Sequence, residues 1–358
     1  MQDKKICFVI TKSEVGGAQT WVKQQIDILD EAGYECFICT NREGWLTTNS
    51  RTADVLTDKR IVQRMSLGFL RGLNRFIKEH DIDLLVGNSA NGGIYSRLSA
   101  FLSSRESIYV SHGWSSVYNG GKLAFAYNRI EKGLSKISSK VLCVSENDYH
   151  IARETIGIPD GELATIINKI YPVEPDAVNK VPNKNDRKIT KLLFLGRLAA
   201  PKLPMTLVKA VGNIPSIQLD IVGDGPDRDA LVELIREEEM QNINVLGEVK
   251  NFNAFRDYDI FCLISKSEGL PLSAVEALSC GLPILISNVG GCPEVIENNG
   301  YLTDNSSEDI LKGIRLIQEN SKQFSDNSQK LFSKKFDLST GYQQYLDLYQ
   351  EVLKQDSK

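Results

Sequence analysis

A chain of 358 residues is long for one average domain and short for three, so two domains of roughly 150–200 residues each are the natural reading. With 42% hydrophobic and 25% charged residues and a net charge of −4, the composition excludes fibrous and disordered classes, and it lacks the basic balance of a general nucleic-acid binder. No apolar run approaches the ~20 residues of a membrane span, the short ICFVI is no signal-peptide core, and seven cysteines without framework spacing point to a cytoplasmic address.

In chain order, KKICFVIT predicts a buried strand, then a loop closing on Val15-Gly16-Gly17, then a helix with Val22, Ile26 and Leu29 inward that Gly33 stops. ECFICT, DIDLLVGN, SIYVSHG and KVLCVS follow as short apolar strands, each ending in a small-residue loop. Cys36 and Cys39 imitate a zinc or redox pair, but residues three apart on a strand face opposite ways and no second pair follows. Between residues 168 and 188, Pro172, Pro175 and Pro182 lie among polar residues and read as a linker. The alternation then restarts with KLLFLG, IQLDIVGDGP, INVLG, DIFCLIS and PILIS. After residue 300 the chain reads as helical, ending with Tyr342, Tyr345, Leu346, Tyr349 and Leu353 at helical spacing. The fold class is therefore α/β, with two doubly wound Rossmann-like domains over residues 1–170 and 171–337.

Ligands of open α/β sheets bind beyond the carboxyl ends of the strands, and the chemistry-bearing residues cluster there. SEGLPLSAVEALSCGLPILISNVGG, residues 267–291, places Glu268 in the loop after DIFCLIS and Glu276 in the first turns of the next helix. Ser273 to Glu276 also matches a capping box, so Glu276 has a purely structural reading that Glu268 lacks. KLLFLGRLAAPKLP sets Arg197 and Lys202 just past a strand, and VGDGP supplies a glycine turn with Gly223 and Gly225. Gly16-Gly17 fits either close approach of backbone to a ligand or a tight turn. Of His80, His112 and His150, only His112 sits at a strand's carboxyl end, where ligand contact and packing both remain open.

The 267–291 passage resembles the signature of glycosyltransferase family four, whose members have the GT-B fold of two facing Rossmann-like domains. The resemblance implies that Glu268 contacts the donor sugar near the reacting carbon and that Glu276 holds the nucleotide ribose. It sets Gly269 and the N–H groups of Leu270, Leu272 and Ser273 beside the diphosphate, which Arg197 and Lys202 neutralise as it leaves. The turn with Glu248, Val249 and Lys250 is where relatives hold the base. Gly16-Gly17 resembles the family's Gly-Gly-Ala-Glu loop, with Gln19 in the glutamate's place, and His112 is implied at an outer hydroxyl of the donor sugar. The expected catalytic set is thus Glu268, His112, Arg197 and Lys202, and a helix over about 338–358 is expected to return to the first domain. One departure stands out: IINKIYP replaces the usual Asn-Gly, so the hinge beside Asn168 differs.

The resemblance implies retaining transfer of a hexosyl unit from a nucleotide-sugar, UDP-linked rather than guanosine-linked, to a saccharide or lipid-linked saccharide. The acceptor is assigned to the first domain, and the setting is surface polysaccharide: capsule, O-antigen or exopolysaccharide. The rivals are a nucleotide-sugar epimerase and a non-catalytic nucleotide-sugar-binding protein. No cofactor or metal is expected, because Asp81-Ile-Asp83 and Asp257-Tyr-Asp259, which imitate the metal-holding Asp-x-Asp of other sugar transferases, introduce strands at their amino ends. The basic, apolar-interleaved stretches 59–80 and 122–140 read either as peripheral contacts with an anionic membrane or as helices that pack one face and expose a solvated other.

Overall fold

The computed structural model describes residues 4–114, 117, 121–174 and 189–354. The chain divides into two compact units, Met1–Asn168 with Thr340–Lys358, and Lys169–Ser339. In the first, strands β1 (Lys5–Ile10), β2 (Glu35–Thr40), β3 (Asp54–Thr57), β4 (Leu84–Asn88), β5 (Glu106–Ser111), β6 (Lys140–Cys143) and β7 (Leu163–Thr165) form one sheet in the order β3-β2-β1-β4-β5-β6-β7. Every pairing is parallel. Helices cover both faces of such a sheet, so β1, β4 and β5 are buried almost end to end, which is why they read as continuous apolar runs rather than alternating ones.

The second unit contains β8 (Thr190–Leu195), β9 (Ile217–Val222), β10 (Ile243–Gly247), β11 (Ile260–Leu263), β12 (Ile284–Ser287) and β13 (Gly300–Thr303), in the order β10-β9-β8-β11-β12-β13. These pairings are parallel as well. Each sheet therefore reverses its strand order once, between β1 and β4 in the first unit and between β8 and β11 in the second. Those two reversals are the topological switch points where α/β sheets open a crevice for ligands.

Three strands depart from the sequence expectation, and all are short edge or near-edge pieces. β3, β7 and β13 each carry only two consecutive apolar residues, too few to mark a buried strand. β13 corrects the expectation of helix throughout after residue 300. A Cβ at Gly300 would lie 2.0 Å from the Ile284 carbonyl oxygen, so glycine is what lets this strand close on β12. The helix Ser307–Glu319 follows, with the Ser306 hydroxyl accepting from the Asp309 N–H as its cap.

The C-terminal helix Gln343–Lys354 packs on the first unit, burying Tyr345, Leu348, Tyr349, Val352 and Leu353. The Tyr349 hydroxyl donates to Gln25 Oε1 at 3.0 Å, and Tyr345 meets Trp21 edge-on at 6.0 Å. Tyr342, expected on the same stripe, is exposed instead. All seven cysteines are free and buried, Cys36 and Cys39 among them. No helix of the described residues is long and apolar enough to cross a membrane.

Candidate active site

In the second unit the switch point brings the ends of β8 and β11 side by side. β8 runs out into Gly196-Arg197, and the chain returns so that Lys202 bridges Ser265, while the Leu203 N–H donates to the Ile264 carbonyl at 2.7 Å. This return fixes Lys202 over the carboxyl end of β11. Its Nζ lies 2.5 Å from Glu268 Oε1, a pair whose side chains are only 18% and 11% exposed. The fully buried Ser265 donates its hydroxyl to the same oxygen at 2.5 Å. Both contacts fall on Oε1, which leaves Oε2 without a protein partner among the described residues. A carboxylate held by one oxygen and open at the other is arranged to accept hydroxyl groups of a ligand.

Ser265 is itself braced. Its N–H donates to Ser287 Oγ at 2.8 Å, the Ser287 hydroxyl donates to Asn305 Oδ1 at 2.5 Å, and Asn305 Nδ2 returns to the Ser265 carbonyl at 3.1 Å. Asn305 reaches this position from a left-handed backbone, φ 74°. Two glycines close the loop from the other side. A Cβ at Gly290, φ 52°, would fall 1.9 Å from the Glu268 carbonyl oxygen, and one at Gly291 would fall 2.5 Å from that of Gly269. None of Ser265, Ser287, Asn305, Gly290 or Gly291 was expected at the site. The Gly-Gly pair was visible in the sequence, but what it packs against was not.

Arg197 is exposed in the turn that follows β8. The loop that carries it is shaped by Gly223 and Gly225. Cβ atoms there would stand 2.0 Å from the Gly196 carbonyl oxygen and 2.3 Å from that of Leu198. The Leu198 N–H donates to the Asp224 carbonyl at 2.9 Å, and the Asp227 N–H donates to that of Leu198 at 2.9 Å. These glycines therefore sit against backbone and act on the site through the 196–198 turn. Val249 lies in the exposed loop after β10, two strands from β8.

Glu276 loses its capping reading. The helix Leu272–Ser279 has Pro271 at its N-cap and no side-chain cap, so the Ser273–Glu276 capping box does not form. The uncapped N-terminus leaves the first amide donors, including those of Leu272 and Ser273, facing an anion-friendly dipole. Glu276 itself is half-buried, and withdrawal from water pushes its carboxyl up to about 7. Withdrawal from water disfavours the charged carboxylate, so a hydrogen-bond donor brought to this side chain would restore it.

In the first unit the corresponding end of the sheet carries the other expected residues. Gly16, in extended backbone, precedes the helix Gly17–Glu31 and lies under Gln19, whose Oε1 would be 2.7 Å from a Cβ there. Gln19 Nε2 donates to the Lys12 carbonyl at 3.0 Å, so Gln19 closes the loop by a local bond. His112 follows β5 and is half-buried, with its ring edge-on to Trp21 at 5.4 Å. Its Nε2 lies 2.8 Å from Oδ1 of the fully buried Asn88, whose Nδ2 donates to the Val86 carbonyl at 3.2 Å. That second bond turns Oδ1 towards the imidazole, so Nε2 carries the hydrogen and Nδ1 is the acceptor. Desolvation pushes His112 down to about 4, which keeps the ring neutral at physiological pH. Asn88 was not anticipated either.

The Asp-x-Asp pairs have structural occupations. Asp83 takes the Lys4 ammonium at 2.7 Å and the Lys5 N–H at 2.8 Å, Asp81 pairs with Arg105 at 2.6 Å, and Asp259 takes the Lys191 N–H at 2.8 Å. Among the described residues no group of three or more His, Cys, Asp or Glu could hold a metal ion.

Two family profiles cover most of the chain. "Glycosyltransferase Family 4" matches residues 15–170 and "Glycosyl transferases group 1" matches residues 176–333. The O-antigen biosynthesis glycosyltransferase WbnH of Escherichia coli is 41% identical over 310 residues, 86% of this chain and 88% of that protein. A second Escherichia coli protein, the UDP-Gal:alpha-D-GlcNAc-diphosphoundecaprenol alpha-1,3-galactosyltransferase, is 24% identical over 332 residues, 84% of each chain. The crystal structure of Anabaena HepE with UDP and glucose matches with a TM-score of 0.80 at 20% identity, over 97% of this chain and 99% of its own.

Proposed function

The chain belongs to glycosyltransferase family 4, and from that premise we propose that it moves a hexosyl unit from a UDP-linked sugar to a saccharide or lipid-linked saccharide during surface-polysaccharide synthesis. The O-antigen role of the 41% identical relative, the diphosphoundecaprenol-linked acceptor in the name of the second, and the UDP bound to HepE support this reading. The observation that carries it is the Lys202–Glu268–Ser265 cluster at the β8/β11 switch point, with Arg197 in the turn that follows β8.

In this reading the second unit binds the donor and the first unit the acceptor. Glu276 accepts the ribose hydroxyls, and the uncapped helix start at Leu272 and Ser273 meets the diphosphate. Arg197 and Lys202 oppose the negative charge that grows on the phosphate as the anomeric bond breaks, a contribution of several kcal/mol when such groups are preorganised. Glu268 Oε2 takes donor-sugar hydroxyls, and in the first unit Nδ1 of the neutral His112 serves as an acceptor for a sugar hydroxyl. The reaction proceeds with retention and without a metal. Glu268 is bound to Lys202 and Ser265 and so suits holding hydroxyls better than attacking carbon, and the leaving phosphate takes the acceptor's proton on the same face. The setting is the cytoplasm, with peripheral membrane contact through the 59–80 and 122–140 stretches.

Three measurements test the proposal. UDP is expected to raise the melting temperature and GDP to leave it unchanged. Chelation by EDTA is expected to leave turnover intact. NMR of the first-formed product is expected to give the donor's own anomer; an inverted anomer refutes the mechanism, and sugar altered or released without acceptor favours an epimerase.

A further inference from the structure

Four buried side chains from two helices remote in the sequence meet in register beside His112. Trp21 and Gln25 lie one turn apart on the helix Gly17–Glu31, and Tyr345 and Tyr349 one turn apart on Gln343–Lys354, so each pair shares a face of its helix. None of the four is more than 1% exposed. The Tyr349 hydroxyl donates to Gln25 Oε1 at 3.0 Å, and one turn earlier on each helix the Tyr345 ring meets Trp21 at 6.0 Å. A hydrogen bond tolerates little sliding, whereas an apolar contact tolerates more, so the first contact fixes the register that brings Tyr345 onto Trp21. Trp21 in turn meets the His112 imidazole at 5.4 Å, and both ring pairs cross at 72°.

Trp21 Nε1 is buried with no hydrogen-bond partner among the described residues, although a buried tryptophan ordinarily finds one. No polar contact therefore orients the indole, and its attitude is set by the groups packed against it. His112 is the polar ring among them. It leaves β5 just before Gly113, whose φ of 111° turns the chain so that Trp114 is buried and donates its Nε1–H to the Asp148 carbonyl at 2.8 Å. The backbone is thus held on both sides of His112, and the freedom left to the ring is rotation about Cβ–Cγ. A half-turn would put Cε1 in the place of Nε2 and Cδ2 in the place of Nδ1, leaving Asn88 Oδ1 without the donor it now has at 2.8 Å. The Trp21 ring stands against the imidazole and opposes that rotation.

We propose that Trp21 and Tyr345 are positioning residues for His112: the C-terminal helix acts through these two rings to keep Nε2 on Asn88 and Nδ1 free for a sugar hydroxyl. Neither residue touches substrate. The same rings withdraw the imidazole from water, which is the cause of its neutral state. The inference rests on the reading of His112 as a sugar contact for its purpose, but the column of rings belongs to the first unit alone.

The test is a double-mutant cycle in the full chain, read beside the nitrogen NMR of the His112 ring. Turnover is followed as UDP released from whichever of UDP-galactose, UDP-glucose and UDP-N-acetylglucosamine wild type consumes fastest. Tyr345→Leu removes the ring behind Trp21 and keeps an apolar side chain there. It is expected to lower kcat about 3–10-fold, the scale of one misaligned hydrogen bond, with affinity for UDP unchanged. In a His112→Ala background the same substitution is expected to do nothing further, because no imidazole remains to be positioned. Tyr345→Phe keeps the ring and restores the wild-type rate. The ring nitrogens are expected to show one Nε2–H tautomer in wild type and a mixture in Tyr345→Leu. Should Tyr345→Leu not fold, Trp21→Phe takes its place in the cycle, its smaller ring withdrawing from the imidazole. Equal losses of kcat in the two backgrounds, or an unaltered tautomer in the variant, make these rings ordinary packing and overturn the proposal. His112→Ala that turns over like wild type strikes the sugar contact instead, and the tautomer then decides the positioning.

Discussion

Replacing Glu276 by glutamine removes a charge without changing shape, and the effects on stability and on donor binding run in opposite directions. In the fold this carboxyl is raised from 4.5 to about 7 by desolvation. Below pH 4.5 it is neutral in both states, and the variant should match wild type. Between pH 4.5 and 7 the unfolded chain gives up the proton while the folded one keeps it, so wild type loses stability by about 1.36 kcal/mol per pH unit. Above pH 7 the deficit levels off near ~3 kcal/mol for complete burial, and solvent reaching this half-buried side chain lowers it to ~1–3 kcal/mol. Glu276→Gln is therefore expected to unfold later than wild type at pH 8, by roughly 2–10 °C for a unit of this size, and together with it at pH 4. The same variant should bind UDP about 10–100-fold more weakly, because hydrogen bonds to an ionised acceptor become bonds to a neutral one. Wild-type affinity for UDP should rise with pH up to about 7 and then flatten, while the variant's stays level. Paired denaturation and calorimetric titrations across that range read both effects. A variant less stable than wild type at pH 8 would show that Glu276 serves the fold, and the ribose assignment would lose its physical basis.

Glu268→Ala and Arg197→Ala should each lower kcat by about 10²–10³ while the protein stays folded, the scale of losing one preorganised electrostatic contact; unchanged turnover refutes the site. Ser265→Ala removes a bond to Glu268 Oε1 but no contact with the nucleotide, so kcat should fall about 3–10-fold with UDP affinity unchanged. An equal loss in both would mean that the whole loop had moved. Gly290→Ala places a Cβ 1.9 Å from the Glu268 carbonyl at a left-handed φ, and should cost ~2–4 kcal/mol of stability by denaturant titration, with any folded remainder inactive.

The architecture was legible because a buried parallel strand leaves a local signature: three to five consecutive apolar residues, then a small-residue loop. β1, β4, β5, β8, β11 and β12 all have it. β3 and β13 lack it because an edge strand of four residues is half solvated and is stabilised by its neighbour rather than by its own apolar content. The amphipathic stretch at 59–80 packs only part of its apolar content. Phe69, Leu73 and Phe76 fall on the helical period and belong to the core, whereas Leu67 is out of phase with them and Met65 precedes the helix, and both are exposed.

At the candidate site, the residues singled out from the sequence, Glu268, Arg197 and Lys202, are those that follow a strand's carboxyl end inside the passages that carry the family resemblance. Those missed act on them through three-dimensional contacts separated in the chain. Ser265 is three residues from Glu268 and could be taken for any loop serine; only the β11 geometry turns its hydroxyl onto Oε1. Ser287 ends β12 and Asn305 lies two residues past β13, and their bonds tie both strand ends to Ser265. Such bracing matters because an ion pair as close as Lys202–Glu268 could collapse both groups into a mutual contact and leave nothing for a ligand. With Oε1 pinned by two donors and the loop backbone fixed by Gly290, the carboxylate cannot rotate to offer Lys202 both oxygens, and Oε2 stays available. In the proposed mechanism the chemistry thus depends on a frame of small, neutral residues as much as on the charges it carries.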